Sequence, residues 1–325
     1  MFLFLLLGIF LALSSTSWFS AWAGLELNLL TFIPLMTSKT NLFYSESALS
    51  YFLIQALGSA LLIFSASLLL MDKPFFLLIM SLSLFLKMGA APFHFWFPKI
   101  MEGLNWPQAF ILMTIQKLTP MFLISYLSFN ILCTSLMYLI ASLSAIIGAL
   151  GGLNQTKLRK LMAFSSINHM AWMLSAILMN HSSWMLYFLF YSLMSFSIII
   201  LLFHLKTFFF TQLLNFNFIS ISFKISLSIS LLSLGGLPPF SGFFPKWLLI
   251  QEMIFFKHFF FLFILLASSL ITLYFYLRML YPFLIMTSPS PKSSFYSPKL
   301  HFPLQTTTTF LNFFCLLLPS MFFLI

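Results

Sequence analysis

Acid is what this sequence has least of. Its 325 residues include five carboxylates, Glu26, Glu46, Asp72, Glu102 and Glu252, and charged residues of both signs make up only 6%. So little polar surface could not cover a soluble globule of this size, which excludes a water-soluble fold. Cysteine is nearly absent. Cys133 and Cys315 lie far apart in apolar runs, so neither a disulfide framework nor a cysteine metal site is supported, and both read as packing residues. No Lys or Arg precedes Lys39. A secretory leader needs a basic start, so Met1 to Leu13 reads as a retained first helix, although Ala21-Trp22-Ala23 resembles a cleavage site.

What is present is apolar: 61% hydrophobic residues and a mean hydropathy of +1.06. A spanning helix needs roughly 20 apolar residues, and the runs between polar or Pro/Gly breaks predict an all-α polytopic membrane protein of about eleven transmembrane helices. Their expected limits are 2–18, 20–38, 47–70, 74–98, 107–128, 131–150, 160–179, 184–205, 223–250, 258–281 and 304–324. Between the last two, Thr287 to Gln305 carries four prolines and several serines and is expected to lie as an extended loop on the membrane surface. Alternate loops differ sharply in charge. One side takes Lys39, Lys99, Lys157, Arg159, Lys160, Lys206, Lys224, Arg278, Lys292 and Lys299; the other takes Lys73 and Lys257. Lys and Arg concentrate on the side of insertion, so the N-terminus is expected inside and the C-terminus outside. Lys157, Arg159 and Lys160, the densest basic cluster, mark topology and offer a place for anionic lipid such as cardiolipin. Gly148, Gly151 and Gly152 lack the strand context of a phosphate loop and read as close helix packing.

Two of the segments are expected to break. Gly89 to Lys99 and Gly236 to Lys246 share the pattern G-x-x-P-F-x-x-x-F-P-K at a constant offset, and proline removes a backbone donor and clashes with the preceding turn. Broken helices at corresponding places in two halves point to a transporter built from internal repeats. The first repeat is expected over 20–130, preceded by helix 2–18, the second over 131–281, and a C-terminal helix over 304–324.

Four ionisable residues fall within the predicted spans: Glu26, Lys87, Lys117 and Lys246. A charge at a helix centre costs roughly 2.5–3.5 kcal/mol on insertion scales, so such residues are functional candidates facing a polar interior. For Lys117, Asn105 and Pro107 mark the start of a straight helix, and ten further residues place it about 15 Å deep. Burial disfavours the charged form of an amine and a nearby carboxylate favours it, which gives a Glu/Lys set the means to take up and release a proton. Lys246, close to a break, could instead snorkel to an interface. His94 and His169 are weaker candidates for the same work. The many Phe and Met residues read as lipid-facing and packing groups.

GLELNLLTFIP (24–34), KMGAAPFHFWFPKIMEG (87–103), QKLTP (116–120), GGLNQTKLRKLMAFSSINHMAWM (151–173) and LSLGGLPPFSGFFPKWLLIQE (232–252) together resemble the antiporter-like membrane subunits of mitochondrial NADH-ubiquinone oxidoreductase, respiratory complex I. The resemblance runs over nearly the whole chain. It implies a proton-pumping subunit of the mitochondrial inner membrane, N-terminus on the matrix side and C-terminus on the intermembrane-space side. It implies no cofactor in this chain, with NADH, FMN, iron-sulfur clusters and ubiquinone in other subunits of the complex, which are its expected partners. Glu26 and Lys87 match the family's interacting acid and lysine, Lys117 its central relay lysine, and Lys246 the lysine of the second broken helix. The internal pattern pairs Lys246 with Lys99, so the two repeats place their charges on different sides of the break.

The alternative is a Mrp-type cation/proton antiporter subunit, which would share the broken lysine helices. Scarce acids argue against it, because sodium sites prefer carboxylate and carbonyl oxygen. A scaffold whose charges only pair helices fits poorly with three buried lysines and one buried acid.

Overall fold

The computed structural model describes residues 1–37, 42–69, 75–180, 182–215, 221–285 and 302–314. Lys39, Lys73, Lys292, Lys299, Cys315, most of the 287–305 connection and the end of the expected 304–324 helix lie outside the described residues. The described chain is helical throughout, apart from one isolated antiparallel bridge between Lys157 and Phe209. In chain order the helices are α1 (Phe2–Leu13), α2 (Trp18–Met36), α3 (Leu42–Leu68), α4 (Phe75–Met88), α5 (Trp96–Gly103), α6 (Trp106–Met113), α7 (Ile115–Leu127), α8 (Ile131–Gly152), α9 (Leu158–Met179), α10 (Ser183–Leu205), α11 (Phe210–Asn215), α12 (Ile221–Gly235), α13 (Phe243–Phe255), α14 (Phe259–Ile285) and α15 (Phe302–Phe314). Among the described residues seven stretches are long and apolar enough to cross a membrane, α6 and α7 counting as one. Large apolar side chains such as Leu3, Phe10, Leu53, Leu139 and Phe263 stand exposed on the helices, as lipid-facing surfaces require.

The chain divides into two compact units, Met1–Ser144 and Ala145–Ile325. In the first, α1 packs along α2 and α3 packs on α2, α4 and α5. The α1–α2 contact is made by backbone. A Cβ on Gly24 would lie 2.6 Å from the Ala12 nitrogen, and one on Gly8 would lie 2.5 Å from Asn28 Oδ1. Small residues bring membrane helices together because lipid is as apolar as Leu and only close van der Waals contact rewards association. α2 begins on a capping box, Ser17 with Ser20, which satisfies two donors that the first turn leaves free. α6 begins the same way on Asn105 and Gln108.

The helix carrying Lys117 is not straight. α6 ends at Met113, Thr114 takes φ −115° and ψ −76°, and α7 resumes at Ile115. The cause lies one turn on. Pro120 has no N–H for the Gln116 carbonyl and its ring crowds that carbonyl, so the turn before it yields. The Lys117 N–H donates to the Thr114 carbonyl at 3.0 Å in place of an α-helical bond.

In the second unit α9 is the inner helix, with Leu161 to Ile177 buried save Phe164, and α10, α13 and α14 pack on it. Gly148 of α8 lets that helix approach α9, since a Cβ there would sit 2.7 Å from the Asn168 nitrogen. Lys224, expected in a loop, lies in the first turns of α12 and is buried. Its stem follows the helix that the apolar run specifies. Glu252, likewise assigned to a loop, is on α13 and half-buried.

Replacing Gly24 by Val should force α1 from α2 and lower stability by about 1–3 kcal/mol, the usual cost of overpacking. The expected result is less assembled protein and a lower thermal midpoint in detergent, while Leu30→Val on the exposed face of α2 should leave both unchanged.

Candidate functional site

A helix that stops inside an apolar environment leaves carbonyls without donors. α4 stops at Met88, where Gly89 takes φ +72°, a conformation only glycine adopts without strain. The Ala90 N–H then reaches the Phe85 carbonyl at 3.2 Å and the Gly89 N–H the Leu86 carbonyl at 3.2 Å, the paired bonds of a Schellman cap. α12 ends identically. Gly236 takes φ +82°, Leu237 N–H donates to Leu232 O at 3.4 Å, and Gly236 N–H donates to Ser233 O at 3.0 Å. α5 and α13 restart at Trp96 and Phe243, at the same offset as the glycines.

In the first unit side chains finish the cap. Trp96 Nε1 donates to the Leu86 carbonyl at 3.1 Å, and Gln55 Nε2 of α3 donates to the Lys87 carbonyl at 3.2 Å. Lys87, in the last turn of α4, lays its stem across Gly58, where an added Cβ would come within 2.9 Å of Lys87 Cγ. A cation at a helix C-terminus also meets the negative end of the dipole. Lys117 on α7 is buried, at 2% exposure, with Nζ 4.7 Å from the centre of the Phe97 ring. Lys87 and Lys117 line one small cavity with Asn28, Tyr51, Gln55, Gln116 and Thr119. Its volume is about 20 Å³ for the centre of a water-sized sphere, room for one ordered water.

Glu26 of α2 is half-buried. No carboxylate oxygen among the described residues comes within 4 Å of Lys87 or Lys117, yet the Glu26 charge acts on both Lys87 and Tyr51. The first unit thus brings Lys87 and Lys117 to one cavity, with Glu26 acting on Lys87 from a distance. The tight acid–lysine contact among the described residues is elsewhere: Lys99 Nζ lies 3.6 Å from Glu46, both about two-thirds exposed, where an ion pair contributes little.

Lys246 belongs to the second unit. It leaves α13 and turns back, so that Nζ donates to the Gly235 carbonyl, the last of α12, at 2.9 Å. Gly236 makes the space; a Cβ there would lie 2.8 Å from Nζ. The lysine starts from the opposite side of the break to Lys87, yet its ammonium ends at the C-terminus of the first half-helix, the end whose counterpart in the first unit carries Lys87 in its last turn. Lys246 is buried, with Nζ 5.7 Å from the Trp172 ring centre, and reaches no interface. Glycine and asparagine hold the break closed. A Cβ on Gly242 would overlap the Ser233 carbonyl, and Asn312 of α15 accepts from Ser233 Oγ at 3.0 Å and from the Ser241 N–H at 3.2 Å.

His94 sits within the first break, its Nδ1 3.3 Å from the Pro92 carbonyl. His169 of α9 is buried, 2.9 Å from the Tyr187 hydroxyl, with the Tyr191 ring 5.1 Å away. The tyrosines here, and Tyr51, Gln55 and Gln116 in the first unit, carry no charge and so escaped a search of the apolar runs for ionisable groups. One signal was available: Tyr51 and Gln55 stand one helical turn apart, and Gln116 precedes Lys117. Among the described residues no three of His, Cys, Asp or Glu gather as a metal site.

The family described as NADH:quinone oxidoreductase/Mrp antiporter, TM matches residues 15–272. NADH-ubiquinone oxidoreductase chain 2 of Anopheles gambiae is 45% identical over 287 residues, 85% of this chain and 83% of that protein. Its counterpart in Aedes aegypti is 48% identical over 289 residues, 86% and 84%. In fold, the chain resembles one in respiratory complex I from Thermus thermophilus with bound aureothin, at TM-score 0.82 and 24% identity, covering 98% of this chain and 77% of that one. A chain of the Mrp complex from Dietzia sp. DQ12-45-1b gives TM-score 0.80 at 17% identity, with 90% and 61% covered. By the extent of these matches and the cavity they accompany, this chain belongs to the NADH:quinone oxidoreductase/Mrp antiporter membrane family.

Proposed function

We propose that the chain is a core membrane subunit of NADH:ubiquinone oxidoreductase, complex I, and that Glu26, Lys87, Lys117 and Lys246 are the groups that carry its protons. One observation supports this above the rest: two buried lysines share a small polar cavity while a single carboxylate acts on one of them from beyond ion-pairing distance. A buried ammonium tightly paired with an acid is a structural brace. One without such a partner is costly while charged. It therefore exchanges its proton readily when a neighbouring charge changes, which is the property a relay requires.

Lys246, held on a helix-end carbonyl in the second unit, has the same character. Redox chemistry belongs elsewhere in the complex. Two cysteines far apart are too few for an iron-sulfur ligand set, and the family resemblance assigns NADH, FMN, iron-sulfur clusters and ubiquinone to the partner subunits. The relatives named for this oxidoreductase, matched over most of their length, support that reading over a Mrp-type antiporter, for which the likeness is one of fold.

The same reading gives about eleven crossings of the mitochondrial inner membrane, α4–α5 and α12–α13 each forming one broken crossing of roughly the length a bilayer needs. These belong to two antiporter-like repeats, 20–130 and 131–281. The N-terminus lies on the matrix side and the C-terminus on the intermembrane-space side, as the loop charges favour. Lys157, Arg159 and Lys160 receive anionic phospholipid such as cardiolipin.

In sealed vesicles holding the assembled complex, Lys117→Met is expected to leave assembly intact and to lower NADH-driven proton uptake about tenfold, a loss of roughly 1.4 kcal/mol at the transfer step. Lys117→Arg should fail as well, because a guanidinium does not release its proton. Where pumping and electron flow are tightly coupled, NADH oxidation should slow in parallel. Wild-type uptake and oxidation in both variants would make Lys117 structural.

Gly236→Ala tests the second unit. The left-handed backbone costs a non-glycine residue about 1–2 kcal/mol, and the new methyl would drive Nζ from the Gly235 carbonyl. Proton uptake per NADH should fall together with the thermal midpoint, whereas Gly235→Ala, inside the helix, where an added Cβ would make only ordinary van der Waals contact with Tyr276 and Leu273 at 3.6 and 3.8 Å, should change neither.

A further inference from the structure

Tyr51 is buried on α3, its ring edge-on to Phe32 of α2 with centroids 5.3 Å apart and to Trp96 of α5 at 6.2 Å. Clamped on both sides, the ring cannot swing, and the freedom left is rotation of the O–H about its C–O bond. The hydroxyl lies 3.4 Å from Gln116 Oε1 of α7, which is long for an O–H···O bond, and the charge of Glu26 reaches it. A hydroxyl held so loosely is free to rotate away from that oxygen. The amide it touches is also uncommitted. Gln116 Nε2 is buried without a partner, in a residue that lines the cavity of Lys87 and Lys117, and buried donors ordinarily have partners.

The geometry points to Tyr51 and Gln116 as a hydrogen-bond switch that passes the charge state of Glu26 to the cavity beside Lys117; this rests on the relay reading above. With Glu26 neutral, the Tyr51 O–H donates to Gln116 Oε1 and the amide turns its NH₂ to the cavity. A water accepting from that N–H keeps both of its own protons for donation. It takes a proton from the Lys87 ammonium into its remaining lone pair as it gives one of its own to the Lys117 amine. Charge moves from Lys87 to Lys117, and the water is regenerated. With Glu26 ionised, the O–H turns toward the carboxylate, the Tyr51 oxygen accepts from Gln116 Nε2, and the amide presents Oε1 to the cavity. The water must then spend a proton on Oε1 and offers its lone pairs, which suits it to receive from Lys117. Tyr51 and Gln116 are positioning residues: they gate the direction of transfer without carrying the proton.

The experiment measures NADH-driven proton uptake in sealed vesicles holding the assembled complex. Tyr51→Phe keeps the ring and its packing and removes the rotor; Gln116→Leu keeps the volume and removes the amide. Each is expected to lower uptake about tenfold, and the double variant no further than either single, because both disable one switch. NADH-induced infrared difference spectra should carry a tyrosine C–O band that Tyr51→Phe abolishes and Gln116→Leu shifts, which a packing role would not produce. Lys117→Met is measured alongside. Wild-type uptake in that variant defeats the relay reading and the switch with it. A block at Lys117→Met with wild-type uptake in Tyr51→Phe or Gln116→Leu, multiplying single effects, or no Tyr51-dependent band overturns the switch and leaves the relay standing. If Tyr51→Phe does not assemble, uptake and the band shift in Gln116→Leu decide by themselves.

Discussion

A carbonyl released where a helix stops inside lipid has no water to turn to, and the organisation of both units follows from that constraint. The positive-φ glycines, Gly89 and Gly236, fold each chain end back onto its own last turn. What that fold leaves open is closed by side chains: Trp96 and Gln55 in the first unit, Lys246 in the second. The polar groups needed to close a break are also the groups that make a proton site, so structural necessity and chemistry share the same few residues.

Closing the breaks differently has consequences. In the first unit neutral donors cap the carbonyls, which leaves the Lys87 ammonium free to face the cavity. In the second the ammonium is itself the cap. Losing its proton therefore weakens the Lys246 donation to the Gly235 carbonyl from a charge-assisted bond to a neutral amine's, whereas Lys87 has no such bond among the described residues to weaken. The α15 helix, through Asn312, supports the second break from outside it, where the first relies on α3. Glycine permits all of this. Gly58, Gly236 and Gly242 each stand where a methyl would strike a lysine or a carbonyl, so the lysines and breaks are seated in space that the sequence leaves empty.

Much of this was legible in the residues. The scarcity of charge required a membrane, and the apolar runs marked the helices because hydropathy is a local property that burial in lipid makes decisive. Gly and Pro marked both breaks, since φ restriction and the missing donor act within one turn. Glu26, Lys87, Lys117 and Lys246 stood out because ionisable groups are rare at such depth. The bend at Thr114 was missed, although Pro120 announced it. Lys224 and Glu252 were misplaced in loops because a charge was taken as the end of a helix, when a long stem can follow an apolar run and bury.

What the sequence determined by itself was the solvent of the chain, the positions of its helices and breaks, and which titratable groups lie among them; each depends on residues within a few turns of one another. Only the tertiary structure decided that Lys87 and Lys117 face one cavity, that Lys246 turns back to the end of α12, and that uncharged Tyr51, Gln55 and Gln116 complete the polar lining. Those facts rest on distances between residues far apart in the chain, and such distances are set by how helices pack, which no local pattern encodes.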